Sequence, residues 1–135
     1  MSPLLEVIPR FLLAVALGAG IGFQRERAGK AAGIRTHILV SSGAALFTLV
    51  SIYGFTGATV DISRVAAGVV IGVGFIGAGV ILRGTREEEV AGLTTATTIW
   101  ITAAIGLSAG TGMYLLSVIA TAVTVCVLFL PKVRG

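Results

Sequence analysis

The chain is poor in charge. Ten Lys and Arg with six Asp and Glu make up 12% of its 135 residues, where a soluble domain carries about 25%. With 56% of the residues hydrophobic, too few polar groups remain to cover a water-exposed surface. A soluble globular domain is therefore excluded, and lipid is the expected solvent. One cysteine, Cys126, excludes a disulfide framework; lying in an apolar run, it reads as a small buried hydrophobe. One histidine, His37, excludes metal centres built from histidine. No nucleophile can be matched with a base and an orienting group, so the chain is not expected to be an enzyme, and no cofactor is expected. The net charge of +4 would suggest nucleic acid in a soluble domain. Here the distribution of charge matters more than its sum, and nucleic acid is not an expected partner.

Apolar residues fall into five stretches, at about 4–23, 38–56, 65–82, 93–109 and 113–130. Crossing the hydrocarbon core takes roughly 17–25 helical residues. The first, second, third and fifth stretches meet that length, whereas the fourth is short when counted to Gly106. Backbone polar groups in lipid must be satisfied internally, so the stretches should be helices. They lack the apolar–polar alternation of barrel strands. The expected fold is all-α, a polytopic bundle of five transmembrane helices forming a single domain over residues 1–135. The charged Gln24-Arg25-Glu26-Arg27 follows the first stretch with no Ala-x-Ala site before it, which argues against a cleaved leader. Ser2-Pro3 resembles a cap with proline in the first turn, and Pro9 would then kink that helix.

Five spans put the N-terminus, the second loop and the fourth loop on one face, with Arg10 and Arg64 as its two cations. The other face holds eight: Arg25, Arg27, Lys30, Arg35, Arg83, Arg86, Lys132 and Arg134. The positive-inside rule places the latter face in the cytoplasm and the N-terminus outside.

Glycine is abundant, with 19 residues. Gly72-Val73-Gly74-Phe75-Ile76-Gly77 matches G-x-G-x-x-G but lies inside an apolar run, without the strand and the water that a dinucleotide site needs. Helix packing is the better reading. Gly68 and Gly72 are four residues apart, with Gly79 on the same face, and Gly18–Gly22 and Gly106–Gly110 repeat the spacing. Such small faces allow close backbone approach and point to a tightly packed bundle.

Thr94, Thr95, Thr98 and Thr102 fall within about a 100° sector of the fourth helix. Either their hydroxyls bond back to carbonyls of their own helix, or they form a polar face for a cavity or a partner. Trp100, well inside the same helix, reads as a packing contact. Asp61 and Arg64 read as a helix cap with an ion pair three residues apart. The alternative is Asp61 as a weak ligand for a largely hydrated Mg²⁺, since one carboxylate is a poor site for a divalent ion. The first loop crowds Arg25, Glu26, Arg27, Lys30, Arg35 and His37, a topological anchor that also meets anionic lipid. Arg35-Thr36-His37, at the start of the second helix, is more specific and suits a phosphate or a partner's carboxylate.

In these features the chain resembles the MgtC/SapB family of bacterial inner-membrane proteins. The matching pieces are Gly20-Ile21-Gly22 with Arg25-Glu26, Gly33-Ile34-Arg35-Thr36-His37, Gly43-Ala44-Ala45-Leu46-Phe47, Asp61 with Arg64-Val65-Ala66-Ala67, Gly72 to Gly79, Gly92-Leu93-Thr94-Thr95-Ala96, Trp100 and Ala103-Ala104-Ile105-Gly106. They run over roughly residues 14 to 114. The resemblance implies a five-helix membrane domain, a link to survival at low Mg²⁺ and, in pathogens, to virulence inside host cells. Some members are thought to restrain the membrane ATP synthase rather than carry Mg²⁺. Many carry a soluble C-terminal regulatory domain, which is expected to be absent here. Glu87-Glu88-Glu89 looks atypical for the family's third loop.

Two functions follow as expectations. The first is a regulatory membrane protein that docks its glycine and threonine faces on a partner, with homo-oligomers also in view. The second is a small magnesium or other ion transporter or channel. The candidate ligand or partner-binding residues are Arg25, Glu26, Arg35, Thr36, His37, Asp61, Arg64, Thr94 and Thr95. The candidate packing residues are Gly68, Gly72, Gly79, Thr98 and Thr102.

Overall fold

A computed structural model describes the backbone of residues 4–82 and 86–131, and their side chains outside 82–91. Five helices follow one another: α1 (Leu4–Arg27), α2 (Ile34–Tyr53), α3 (Ser63–Leu82), α4 (Arg86–Gly110) and α5 (Tyr114–Leu128). The expected all-helical bundle is what is found, and four of the helices are long and apolar enough to cross a membrane.

The helix ends differ from the apolar boundaries for a simple reason. Charge ends a span in lipid, but Arg, Glu and Gln are good helix formers and do not end a helix. The first helix therefore runs through Gln24-Arg25-Glu26-Arg27, with its basic residues in the last turn, where the helix dipole favours them. It stops at Gly29, whose φ of 71° closes a left-handed cap. In that cap Lys30 N–H bonds the Arg25 carbonyl and Gly29 N–H bonds the Glu26 carbonyl. The fourth helix likewise begins at Arg86 rather than near 93, so the backbone of Glu87-Glu88-Glu89 is helical and not a loop; their side chains lie outside the described residues. It has 25 residues and is the longest of the five, whereas α5, with 15, is the shortest. The expectation that the fourth stretch would be short and the fifth long is thus reversed.

Helices α1, α2 and α4 form the tight core. Gly18 of α1 faces His37 and Ser41 of α2, and Gly22 faces Ile34, so α1 and α2 run antiparallel. Gly106 and Gly110 of α4 face Ser41 and Ala45, so α4 runs parallel to α2. A Cβ on Gly18 would lie 2.6 Å from the His37 carbonyl oxygen, one on Gly22 would lie 2.6 Å from the Ile34 Cα, and one on Gly106 would overlap the Ser41 backbone. Helix α3 leans mainly on α4, through Val73 against Ile99 and Ala103, and touches α2 only lightly. Helix α5 packs on α4 and α1.

Three expectations about packing fail. Among the described residues, Gly68, Gly72 and Gly79 meet nothing within 4 Å of where a Cβ would sit, so this face is not packed by them. Trp100 is 56% exposed rather than packed. Cys126 is exposed on α5 rather than buried. All lie in apolar helices whose outward faces need no polar cover in lipid, so an apolar residue carries no signal of which way it points.

Candidate functional site

The candidate residues divide between the two ends of the bundle. Arg25, Glu26, Arg35, Thr36, His37, Thr94 and Thr95 gather where α1 ends and α2 and α4 begin. Asp61 and Arg64 lie at the opposite end, where α3 begins.

At the first end Arg25 is 2% exposed, and its Nη2 donates to Thr95 Oγ1 at 3.0 Å, joining α1 to α4 across 70 residues. Its Nε, also buried, has no partner. A guanidinium taken out of water needs compensation, and here its hydrogen-bonding partner is a neutral hydroxyl. His37 is fully buried, and its Nδ1–H donates to the Gly33 carbonyl at 2.8 Å. That bond fixes the tautomer and leaves Nε2 as a bare acceptor without a partner, as is the buried Ser41 Oγ one turn further on. Glu26 makes a contact within the chain. Its Oε1 accepts the Ile34 N–H at 3.4 Å, so the carboxylate at the start of α2 belongs to this chain. One N–H at the start of α2 is thus met from within the chain, and a Cβ at Gly33 would run into that same oxygen. Arg35 stays exposed and Thr36 half-buried beside it.

The threonines of α4 split between their two readings. Thr98 donates to the Thr94 carbonyl at 2.7 Å, and Thr102 to the Thr98 carbonyl at 2.7 Å, both bonds within their own helix. Thr95 accepts from Arg25. The buried face of α4 is thus a ladder of satisfied hydroxyls with one interhelical contact at its end.

At the other end Asp61 caps α3. Its Oδ1 accepts Ser63 Oγ–H at 2.6 Å and Ser63 N–H at 3.0 Å. These bonds hold the Asp61 carboxyl below its ordinary range, and the Arg64 charge lowers it further through space. No ion pair joins Asp61 to Arg64, so the expected salt bridge is corrected to a cap alone, because the carboxylate is committed to Ser63. As a Mg²⁺ seat Asp61 stands without a neighbour: no group of three or more His, Cys, Asp and Glu occurs among the described residues.

One polar cluster at this end escaped sequence reasoning. Arg10 Nη1 donates to the Gly110 carbonyl at 3.2 Å, Nη2 lies 3.6 Å from Glu6, and the guanidinium sits 5.8 Å from the centre of the Tyr53 ring. Tyr53 O–H donates to Glu6 Oε2 at 2.6 Å. This clamp ties α1 to the ends of α2 and α4. Only the Glu6–Arg10 spacing of four hinted at it; Tyr53 and Gly110 are brought in by the fold.

A groove of about 500 Å³ lies between α2 and α3, lined wholly by apolar residues and glycine. Gly43 on one wall and Gly68 and Gly72 on the other leave its sides bare.

The chain is 49% identical over 129 residues to the putative magnesium transporter YhiD of Escherichia coli, covering 91% of the chain and 59% of that protein. It is 45% identical over 129 residues to protein SrpB of Synechococcus elongatus, covering 88% and 71% respectively. It is 42% identical over 119 residues to protein MgtC of Salmonella typhimurium, covering 88% and 49%. The chain thus spans between about half and about seven-tenths of the length of these relatives. No solved structure is a significant match. A family model described as the MgtC family matches residues 11–134, and the chain belongs to that family.

Proposed function

We propose that the chain is a regulatory protein of the bacterial inner membrane that docks its α2–α3 groove on one transmembrane helix of a partner membrane protein, in the service of adaptation to low magnesium and of virulence. The observation that carries this reading is the contrast among its glycine faces. Those of α1 and α4 are consumed by internal packing, while Gly43, Gly68 and Gly72 line an open apolar groove. Lipid tails do not need a bare backbone, whereas a helix does, since close approach is what drives helix association in a bilayer. The groove follows α3 from Val65 to Ile76, about three helical turns, which is the footprint of one crossing helix. The family resemblance makes the membrane ATP synthase the first partner to try. The eight-to-two distribution of Lys and Arg supports a cytoplasmic C-terminus and an external N-terminus.

A magnesium transporter is the second reading, favoured by the name of the YhiD relative. Intramembrane ionisable groups often mark ion paths, but here the buried one that bridges two helices is the cation Arg25, which repels Mg²⁺. One experiment separates the readings. The protein is reconstituted in liposomes for Mg²⁺ flux and, in parallel, co-purified with candidate partners from its own membrane, each with a Gly68→Leu, Gly72→Leu variant. Partner capture lost in the variant, with flux no higher than in empty vesicles, supports docking. Flux above empty vesicles makes the chain a transporter.

A further inference from the structure

A different face of α4 holds an unused hydrogen-bond donor beside an available acceptor, in a solvent that supplies neither. Trp100 is the single tryptophan and lies near the middle of the apolar span Gly92–Gly110. Tryptophan in a membrane helix favours the headgroup level, where the indole N–H finds polar partners. Trp100 lies far from that level. Its side chain is 56% exposed and its N–H has no acceptor among the described residues. One turn toward the N-terminus, Thr97 is also exposed. Its hydroxyl donates to the Leu93 and Thr94 carbonyls at 3.1 and 2.9 Å, which commits its proton and leaves the oxygen able to accept. Both residues line a shallow groove of about 300 Å³ between α4 and α5.

We infer that this face is the contact between two copies of the chain, in which the Trp100 indole of each copy donates to Thr97 of its partner. Copies in one membrane orientation pair about an axis along the membrane normal, so their α4 helices run parallel with like residues at like depth. Side chains on a helix lean toward its N-terminus, and an indole rooted at 100 therefore covers the depth of the preceding turn, that of Thr97 on the facing helix. A two-fold contact must be self-complementary, and a donor and an acceptor one turn apart on one face meet that condition. Acyl chains offer no acceptor, whereas a second copy brings one at the required depth. This contact uses neither wall of the α2–α3 groove, so it stands or falls independently of the regulatory reading.

The test is subunit counting by single-molecule photobleaching of the full chain, tagged at its C-terminus and diluted into liposomes at falling protein-to-lipid ratio. Trp100→Phe keeps a ring and loses the N–H; Thr97→Val keeps the branched shape and loses the acceptor. Wild type is expected to dimerise and to dissociate on dilution. Each variant should weaken the dimer about tenfold, roughly threefold for each of two symmetric bonds, and the double variant should be no weaker than either single one. The emission of the sole tryptophan should shift on dilution in wild type and stay fixed in Thr97→Val. Monomers at every ratio, a dimer unaffected by both variants, or wild-type emission that ignores dilution would overturn the proposal.

Discussion

Three helices carry glycines four residues apart, and the structure treats them in two ways. On α1 and α4 the small faces bring backbones so close to α2 that no side chain fits at Gly18, Gly22 or Gly106. On α3 the same spacing faces open space at Gly68 and Gly72. The spacing permits a close approach to the backbone, and it is silent on whether a neighbour in the same chain makes one. In a bilayer the distinction matters more than in water, because an uncovered apolar face costs nothing until a better-packed partner arrives.

That contrast can be broken most forcefully at the packed face. Gly106→Ala places a methyl group on the Ser41 backbone, and neither helix can give way without losing the α1–α2–α4 core. The expected loss is about 3 kcal/mol or more, read as a large fall in melting temperature in detergent. Gly72→Ala, the matched change on α3, should stay within about 0.5 kcal/mol of wild type. Equal losses at the two sites would erase the comparison.

The two arginines of α1 sharpen it further. Among the described residues, Arg10 has a carboxylate, a carbonyl and an aromatic face, and Arg25 has one hydroxyl. Arg10→Met should destabilise by about 1–3 kcal/mol, since it strands the partners of a charged group. Arg25→Met should be neutral or stabilising, as replacing a buried charged group by an apolar chain of similar volume often is. A strong loss at Arg25 in thermal unfolding would mean that its charge is compensated in the folded protein. Tyr53→Phe removes one hydrogen bond to Glu6, with an expected cost of about 1 kcal/mol.

The smallest effect expected is at Asp61. Its bonds to Ser63 hold its carboxyl below the ordinary value of 3.8. The cap therefore contributes in full above that value and is lost as pH falls through the lowered one. Amide exchange in the first turn of α3 should quicken only in strong acid in wild type, and at neutral pH in Asp61→Ala. The same exchange rate in both proteins at neutral pH would remove the cap from the account.

Much of the fold was legible because lipid imposes one rule, that long apolar runs become helices, and all five runs did. Their ends were less legible. Charged residues such as Arg25 and Glu26, or Arg86 and Glu87, lower the hydropathy without ending the helix, so hydropathy undercounts α1 and α4. The contacts that the candidate residues make were not legible. Arg25 and Thr95 were both singled out, yet their bond spans 70 positions. Glu26 was singled out as a ligand candidate, and its contact with the start of α2 was not foreseen, because the short turn after Arg27 brings it back onto Ile34. The Tyr53–Glu6–Arg10 clamp was invisible because it needs three helix ends to meet.

The central claim is that the α2–α3 groove receives a protein helix. A photoreactive amino acid at Val69, on the groove wall, and another at Leu115, on the outward face of α5, test it in native membranes. The account predicts a discrete protein adduct from position 69 that disappears in Gly72→Leu, and lipid adducts alone from position 115. Lipid adducts alone from both positions would contradict it.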